Sequence, residues 1–267
     1  MKGMINMIFL TGDTHLQEIQ TRFNFNNFSI GRELTKEDYI IVCGDFGVWS
    51  GDINKEEKYI FDWLNDRPWT TLFVSGNHEN YDILDNLPIK EWHGGKVNFI
   101  RDSIIHLRRG EIFEIEGKNF FAFGGASSHD IQHGIIDPAD YANRHDMIKA
   151  CKALEKKYGG WQYAMYRIKG ESWWEQELPT QEEMNWGLCN IELHDNKVDY
   201  IITHSPSTSE LLLGFNYGFV EQDILTKYID EVKSKVDYKK HYFGHMHDDI
   251  SINNKDICLY RKFDYIR

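Results

Sequence analysis

At 267 residues and 41% hydrophobic content, the chain is long and apolar enough to bury a core as one large α/β domain, which excludes wholesale disorder. Its formal net charge of -12 excludes a broad nucleic-acid-binding face, which needs clustered Lys and Arg. It does not exclude an anionic substrate, because bound divalent cations invert the field of the carboxylates that hold them.

In chain order, a short apolar run ending in polar, glycine-rich residues recurs. Ile8-Phe9-Leu10 leads into Gly12-Asp13-Thr14-His15, and Tyr39 to Cys43 leads into Gly44-Asp45-Phe46-Gly47. Thr71 to Val74 precedes Gly76-Asn77-His78-Glu79, and Phe120 to Phe123 precedes Gly124-Gly125 and then Ser128-His129-Asp130. Tyr200-Ile201-Ile202 precedes Thr203-His204, and His241-Tyr242-Phe243 precedes Gly244-His245-Met246-His247. Continuous apolar runs bounded by turn residues read as strands buried on both faces, and polar groups just past such strands are where α/β enzymes place their sites.

Between these runs the pattern predicts a helix over 56–65 with Tyr59, Ile60, Trp63 and Leu64 on one face, stopping before Pro68. A second opens on Asp137-Pro138 as cap and first position and stops at Gly159-Gly160. Thr180 and Glu183 have capping-box spacing for a helix to about His194, 220–232 is a further amphipathic stretch, and the tail 250–263 reads as mostly strand. A hairpin is predicted for 111–123 with its turn at Glu116-Gly117-Lys118. The stretch 127–196 exceeds an ordinary connection and reads as a helical insertion or cap on a single domain spanning 1–267.

No apolar run approaches the roughly 20 residues of a membrane span, and no secretory signal is read at the start. Cys43, Cys151, Cys189 and Cys258 form no CxxC pair and read as reduced, buried thiols. The expectation is a soluble cytoplasmic protein without a membrane partner; oligomeric state is not legible.

Asp13, His15, Asp45, Asn77, His204, His245 and His247 are oxygen or imidazole donors without thiolates, a set that suits Mn, Fe, Zn or Ni. Taken singly, Asp13 is equally readable as a helix N-cap and His204 as a structural histidine. His245 and His247 alternate and, on an extended segment, share one side. His129 and Asp130 either contact substrate or close a loop. Trp173-Trp174 either packs the insertion onto the core or offers a platform for a nucleobase. Arg108-Arg109 either binds phosphate or, standing before a hairpin strand, reads as surface charge, the reading preferred here; Arg144 and Arg167 in the insertion stay open in the same way.

Taken in order, Asp13-Thr14-His15, Gly44-Asp45, Gly76-Asn77-His78-Glu79, Thr203-His204 and Gly244-His245-Met246-His247 resemble the motifs of the calcineurin-like metallophosphoesterase superfamily, over about residues 7–250. The resemblance implies a four-layer α/β/β/α sandwich with a helical insertion. It also implies a pair of divalent metal ions: Asp13, His15 and His247 on the first, Asn77, His204 and His245 on the second, and Asp45 bridging. His78 matches the family's catalytic histidine, and Glu79 would orient a neighbour. The implied chemistry is hydrolysis of a phosphate ester by a hydroxide bridging the metals. The chain departs from the Gly-Asp-x-x-Asp pattern, having Val48 at the second aspartate. It also lacks the arginines of the protein-phosphatase branch, with Ser75 before Gly76, and carries a second histidine, His247, that this branch generally lacks. The last two points favour a phosphodiesterase-like or general phosphoesterase site over a protein phosphatase, with a phosphodiester preferred and a nucleotide among the candidate substrates. The alternatives are a phosphomonoesterase, a nuclease for short single strands, and a catalytically silent metal-binding interaction scaffold.

Overall fold

The computed structural model describes residues 6–215 and 222–266. Its strands are β1 (Ile8–Thr11), β2 (Tyr39–Val42), β3 (Thr70–Phe73), β4 (Ile89–Trp92), β5 (Gly95–Arg101), β6 (Ile104–Leu107), β7 (Glu111–Ile115), β8 (Lys118–Phe123), β9 (Ile135–Ile136), β10 (Arg167–Ile168), β11 (Tyr200–Thr203), β12 (Lys240–Phe243), β13 (Ile250–Ser251), β14 (Asp256–Cys258) and β15 (Asp264–Ile266). The helices are α1 (Ile19–Arg22), α2 (Lys55–Asn65), α3 (Tyr81–Asn86), α4 (Arg144–Tyr158), α5 (Gln181–Leu193), α6 (Thr208–Gly214) and α7 (Ile224–Lys235). One sheet has the order β15-β1-β2-β3-β6-β5-β4, the other β13-β14-β12-β11-β8-β7, and β9 and β10 pair separately.

The strand runs are continuously apolar because both of their faces are covered. Alternate residues Ile8, Leu10, Ile41, Leu72, Phe120, Ala122, Ile202 and Tyr242 meet between the two sheets. The intervening Phe9, Ile40, Val42 and Phe73 pack against Ile60, Phe61 and Leu64 of α2, while Phe121, Phe123 and Ile201 pack against α5 and α7. The result is the expected four-layer α/β/β/α sandwich. Parallel pairing in register, Thr11 beside Val42 and Val42 beside Phe73, brings the carboxyl ends of β1, β2 and β3 level. Thr203 beside Phe123 does the same in the second sheet, so the polar loops of both sheets meet at one edge.

The hairpin forms as read, with a tighter turn. Ile115 pairs with Lys118, leaving Glu116 and Gly117 as a two-residue loop at φ 53° and 66°, the twist that antiparallel neighbours favour. The Thr180–Glu183 capping box starts α5 as read. Four details differ. In α2 the buried face is Ile60, Phe61 and Leu64, while Tyr59 points to solvent, because the sheet lies further round the helix than the pattern suggests. Asp137 caps only the short turn Pro138–Asp140, and α4 begins afresh under the Asn143 cap and ends at left-handed Gly159. The tail yields only β13 and β14 before Phe263, and its last strand, β15, runs antiparallel to β1. Of the amphipathic stretch 220–232, α7 covers 224 onward, and Val220 lies outside the described residues.

Residues 127–196 divide in two. Ile136, Met147 and Cys151 form a small core of their own with Tyr141, Tyr166 and Ile168, whereas α5 belongs to the outer layer of the second sheet. Trp174 is buried, and its indole N–H donates to Asp82 at 2.9 Å, so it packs this segment against α3 and is no platform. No described helix is long and apolar enough to cross a membrane. The four cysteines are free, and Cys43, Cys151 and Cys258 are buried as read, but Cys189 is exposed, because it lies on the face of α5 opposite Met184 and Ile191.

Candidate metal centre

Four of the seven candidate ligands stand in a backbone conformation that few residues adopt. His15, Asp45, His245 and His247 all sit at positive φ (42°, 45°, 66° and 51°), which costs energy for non-glycine residues and recurs at functional sites. The alternation of His245 and His247 on an extended segment is therefore corrected: left-handed turns aim these two side chains. The strained loops are pinned to each other by backbone bonds. The N–H groups of Thr14 and His15 both donate to the Asp45 carbonyl, at 3.0 and 2.7 Å. The N–H of His245 donates to Asp13 Oδ1 at 3.0 Å and that of His78 to Asp45 Oδ1 at 2.9 Å. Asp13 is thus no helix cap; the first helix begins only at Ile19.

Glycine at 44 answers two demands at once. It holds φ +88°, and a Cβ there would stand 2.2 Å from His204 Nδ1. Gly44→Ala is expected to push the His204 ring out of place and to lower zinc or manganese affinity by at least about tenfold, as loss of ligand orientation does, read by metal titration of the stripped protein. Unchanged metal affinity in a folded G44A protein would contradict this.

The ligand atoms converge. One atom each from Asp13, His15, Asp45 and His247 lies within 4.8 Å of all the others. His15 Nε2 stands 3.0 Å from His247 Nε2 and 3.8 Å from Asp45 Oδ2. Beside this group, His204 Nε2 is 3.4 Å from both Asp45 Oδ1 and Asn77 Oδ1, and the His245 ring lies 5.0 Å from that of His204. Asp45 thus faces both groups, one oxygen to each. His204 Nδ1 donates to the Cys43 carbonyl at 2.8 Å, which fixes the tautomer and turns the Nε2 lone pair inward, the arrangement of a metal-binding histidine.

Two observations show that this set fits a cation. Asp13 Oδ2 is buried without any hydrogen-bond donor, although His247 Nε2 approaches to 3.0 Å, and an unsatisfied buried carboxylate oxygen is costly. The charge balance agrees. Burial disfavours charge on His204, yet the Asp45 and Asp13 carboxylates override it and raise its pKa to about 10. Burial likewise opposes the Asp45 charge, while His204 holds its pKa well below the carboxylate range. The pocket therefore draws positive charge to the point where Nε2 and the carboxylates face one another.

Glu79 lies under the centre, fully buried, accepting the N–H groups of Gly47 (2.9 Å) and Gly76. Burial, then the Asp45 charge, pushes its pKa up to about 8. It ties the second and third ligand loops together, consistent with the orienting role expected of it. His78 is half-buried with its ring 4.9 Å from that of His15, and burial lowers its pKa to about 4. His129 is exposed, its ring 5.7 Å from that of His245, while Asp130 is turned away to pair with Arg167 Nε at 2.6 Å.

Sequence reasoning gave no place at the site to Arg167, Ser128 or Glu177. Arg167 Nη2 lies 3.0 Å from His78 Nε2. Ser128 Oγ accepts from Asn77 at 3.4 Å and donates to Glu177 at 2.7 Å, and burial lifts the Glu177 pKa to about 7. Only the strand-end position of Ser128 carries a signal in the sequence. Arg109, read as a surface charge, is in fact buried, bonded to carbonyls of Gly124, Gln176 and Glu177, because the 175–178 turn folds over it. A second buried cluster, Glu210, His241 and Asp256, has its cation already: Lys233 Nζ reaches Glu210 at 2.5 Å and Asp256 at 3.1 Å.

A four-layer α/β/β/α sandwich thus gathers carboxylates and imidazoles at its facing strand ends in an arrangement that could hold a metal ion. The sequence matches the calcineurin-like phosphoesterases over residues 7–249, and the chain belongs to that family of metal-dependent hydrolases acting on phosphoester bonds. Among solved structures it is similar to phosphopantetheinyl hydrolase (PptH) from Mycobacterium tuberculosis, with 14% identity, a TM-score of 0.45 and coverage of 97% of this chain and 89% of that one. It is also similar to a putative 5'-nucleotidase from Staphylococcus aureus, with 14% identity, a TM-score of 0.46 and coverage of 96% of this chain and 48% of that one. No curated protein matches the chain.

Proposed function

We propose that the protein hydrolyses a small phosphate ester, a phosphodiester in preference to a monoester and a nucleotide among the candidates, with two divalent cations. The convergence of Asp13, His15, Asp45 and His247 around the unpartnered Asp13 oxygen carries this reading. In it these four residues hold one ion, with Asp45 shared, and Asn77, His204 and His245 hold the other. A pair of such ions supplies an activated water and neutralises phosphate charge. The chain's own part is to fix the ligands through strained turns, to hold His204 in one tautomer through Cys43, and to place His78 where it borders the ion site. Preference for a diester is supported by Ser75 standing where the protein-phosphatase branch has arginine, and by the presence of His247. Mn, Fe, Zn and Ni all suit the donors. The buried free thiols agree with a reducing, cytoplasmic setting.

The test is hydrolysis of bis-p-nitrophenyl phosphate and p-nitrophenyl phosphate by metal-stripped protein, alone and with each metal. Metal-dependent release, faster from the diester, is expected. Release from the monoester alone would make the enzyme a phosphatase. Two bound metals per chain with no turnover of either ester, or of short single strands, would sink the hydrolytic reading and leave a binding scaffold.

A further inference from the structure

Resting on that reading, we propose that Arg167, carried by the small core outside the sandwich, is a ligand for the substrate phosphate, so that the metal centre and the inserted segment together form the phosphate site. Arg167 belongs to β10, which pairs only with β9 at the head of that segment. Its side chain is 8% exposed, and two contacts fix its orientation: Nε donates to Asp130 at 2.6 Å and Nη1 to the Ser172 carbonyl at 2.8 Å. These leave Nη2 aimed at His78 Nε2, 3.0 Å away.

A guanidinium has no lone pair to offer and does not lose its proton, so His78 Nε2 must be the acceptor there. With Nε already on the Asp130 carboxylate, the Nη2 donor spent on a neutral imidazole makes the weaker kind of bond, since one to an oxyanion is about twice as strong. Asp130 holds the guanidinium and offsets its charge without touching His78. The His78 ring borders that of His15 in the metal cluster. A phosphate at the cluster therefore lies next to the donor that His78 now occupies, and accepting from Nη2 would also release His78 Nε2. The planar fork of arginine suits this task, whereas lysine brings charge without the second directed N–H.

The experiment measures inorganic phosphate binding to zinc-loaded protein by calorimetry, with metal content counted alongside, so it needs no turnover. Arg167→Gln should retain two metals and bind phosphate about tenfold or more weakly, the loss of one charge-assisted hydrogen bond. Arg167→Lys should recover part of that. Arg144→Ala, which removes only the surface pair with Glu171 on the same segment, should stay within about twofold of wild type. Wild-type phosphate affinity in R167Q overturns the proposal, as does an equal loss in R144A. If R167Q does not fold, the Arg167 side-chain NMR resonance in the zinc-loaded wild type decides: no shift on adding phosphate overturns the proposal. Phosphate binding that depends on Arg167 in a protein hydrolysing no ester would refute the hydrolytic reading and leave this one standing.

Discussion

Asp45→Asn should reduce bound metal from two ions per chain to at most one and lower turnover of the preferred ester by about three orders of magnitude or more. The size follows from the several kcal/mol that metal ions contribute to a charged transition state, at about 1.4 kcal/mol per decade. Asp45 faces both ligand groups, with Oδ2 3.8 Å from His15 and Oδ1 3.4 Å from His204. An amide keeps the shape and loses both the charge and one acceptor oxygen. The metal-free protein should respond in the opposite direction. Glu79 takes a pKa of about 8 from burial and from Asp45, against an ordinary value near 4.5. A raised carboxyl pKa means that the folded state binds the proton more tightly, so its stabilisation is complete below about pH 4.5 and is lost as the pH rises to about 8. His204, raised to about 10, adds loss in the same direction above about pH 6.5. Both contributions fall between pH 5 and pH 8 in the stripped protein, while His15, His78, His106 and His245, whose pKa values burial lowers, contribute stability that rises over the same range. In D45N one cause of each of these two raised values is gone, so in denaturant unfolding the stripped variant should lose less stability, or gain more, from pH 5 to pH 8 than stripped wild type, and should be at least as stable at pH 8. Two retained metals with full activity would exclude the bridging role. A stripped D45N protein much weaker than wild type at pH 8 would show that the carboxylate serves stability first.

The strand-end sites were legible because each strand of the sandwich centre is buried on both faces and announces itself as an unbroken apolar run. The glycine and polar residues that follow then have nowhere to lie but at the sheet edge. β4 gave no such signal: Ile89, Lys90 and Glu91 are exposed at the margin of their sheet, where side chains need not be apolar. The same limit hid the roles of the arginines. Arg109 and Arg167 are buried by turns around 172 and 175–178 that fold over them, contacts about 5 to 70 residues apart with no periodicity to betray them. The paired histidines of the last motif were found by their spacing, but for a reason the structure replaces, since a left-handed turn is invisible in a pattern of side chains.

His78→Ala should leave both metals in place while lowering kcat by about 10²–10⁴, the range for a side chain that moves a proton in the transition state. The metals should stay because the contact from residue 78 to Asp45 is made by its backbone N–H, at 2.9 Å, which alanine keeps. The imidazole itself reaches the opposite way, to Arg167. In the resting protein it carries no spare proton to give near neutral pH: burial, and the Arg167 and His15 charges after it, lower its pKa to about 4 against the pull of Asp45. A substrate phosphate changes both sides of that balance. Its negative charge raises the proton affinity of Nε2, and by taking the Arg167 donor it removes a group that held the proton off. His78 should then serve as the acid for the leaving group only in the bound state. The discriminating measurement is therefore leaving-group dependence. p-Nitrophenolate departs without a proton, so H78A should lose little on nitrophenyl esters and most on alkyl or nucleoside esters, whose oxygens leave as alkoxides unless protonated. Equal losses on both classes would assign His78 to holding the phosphate, with no part in proton transfer. Unchanged kcat on an alkyl ester would remove it from the reaction altogether.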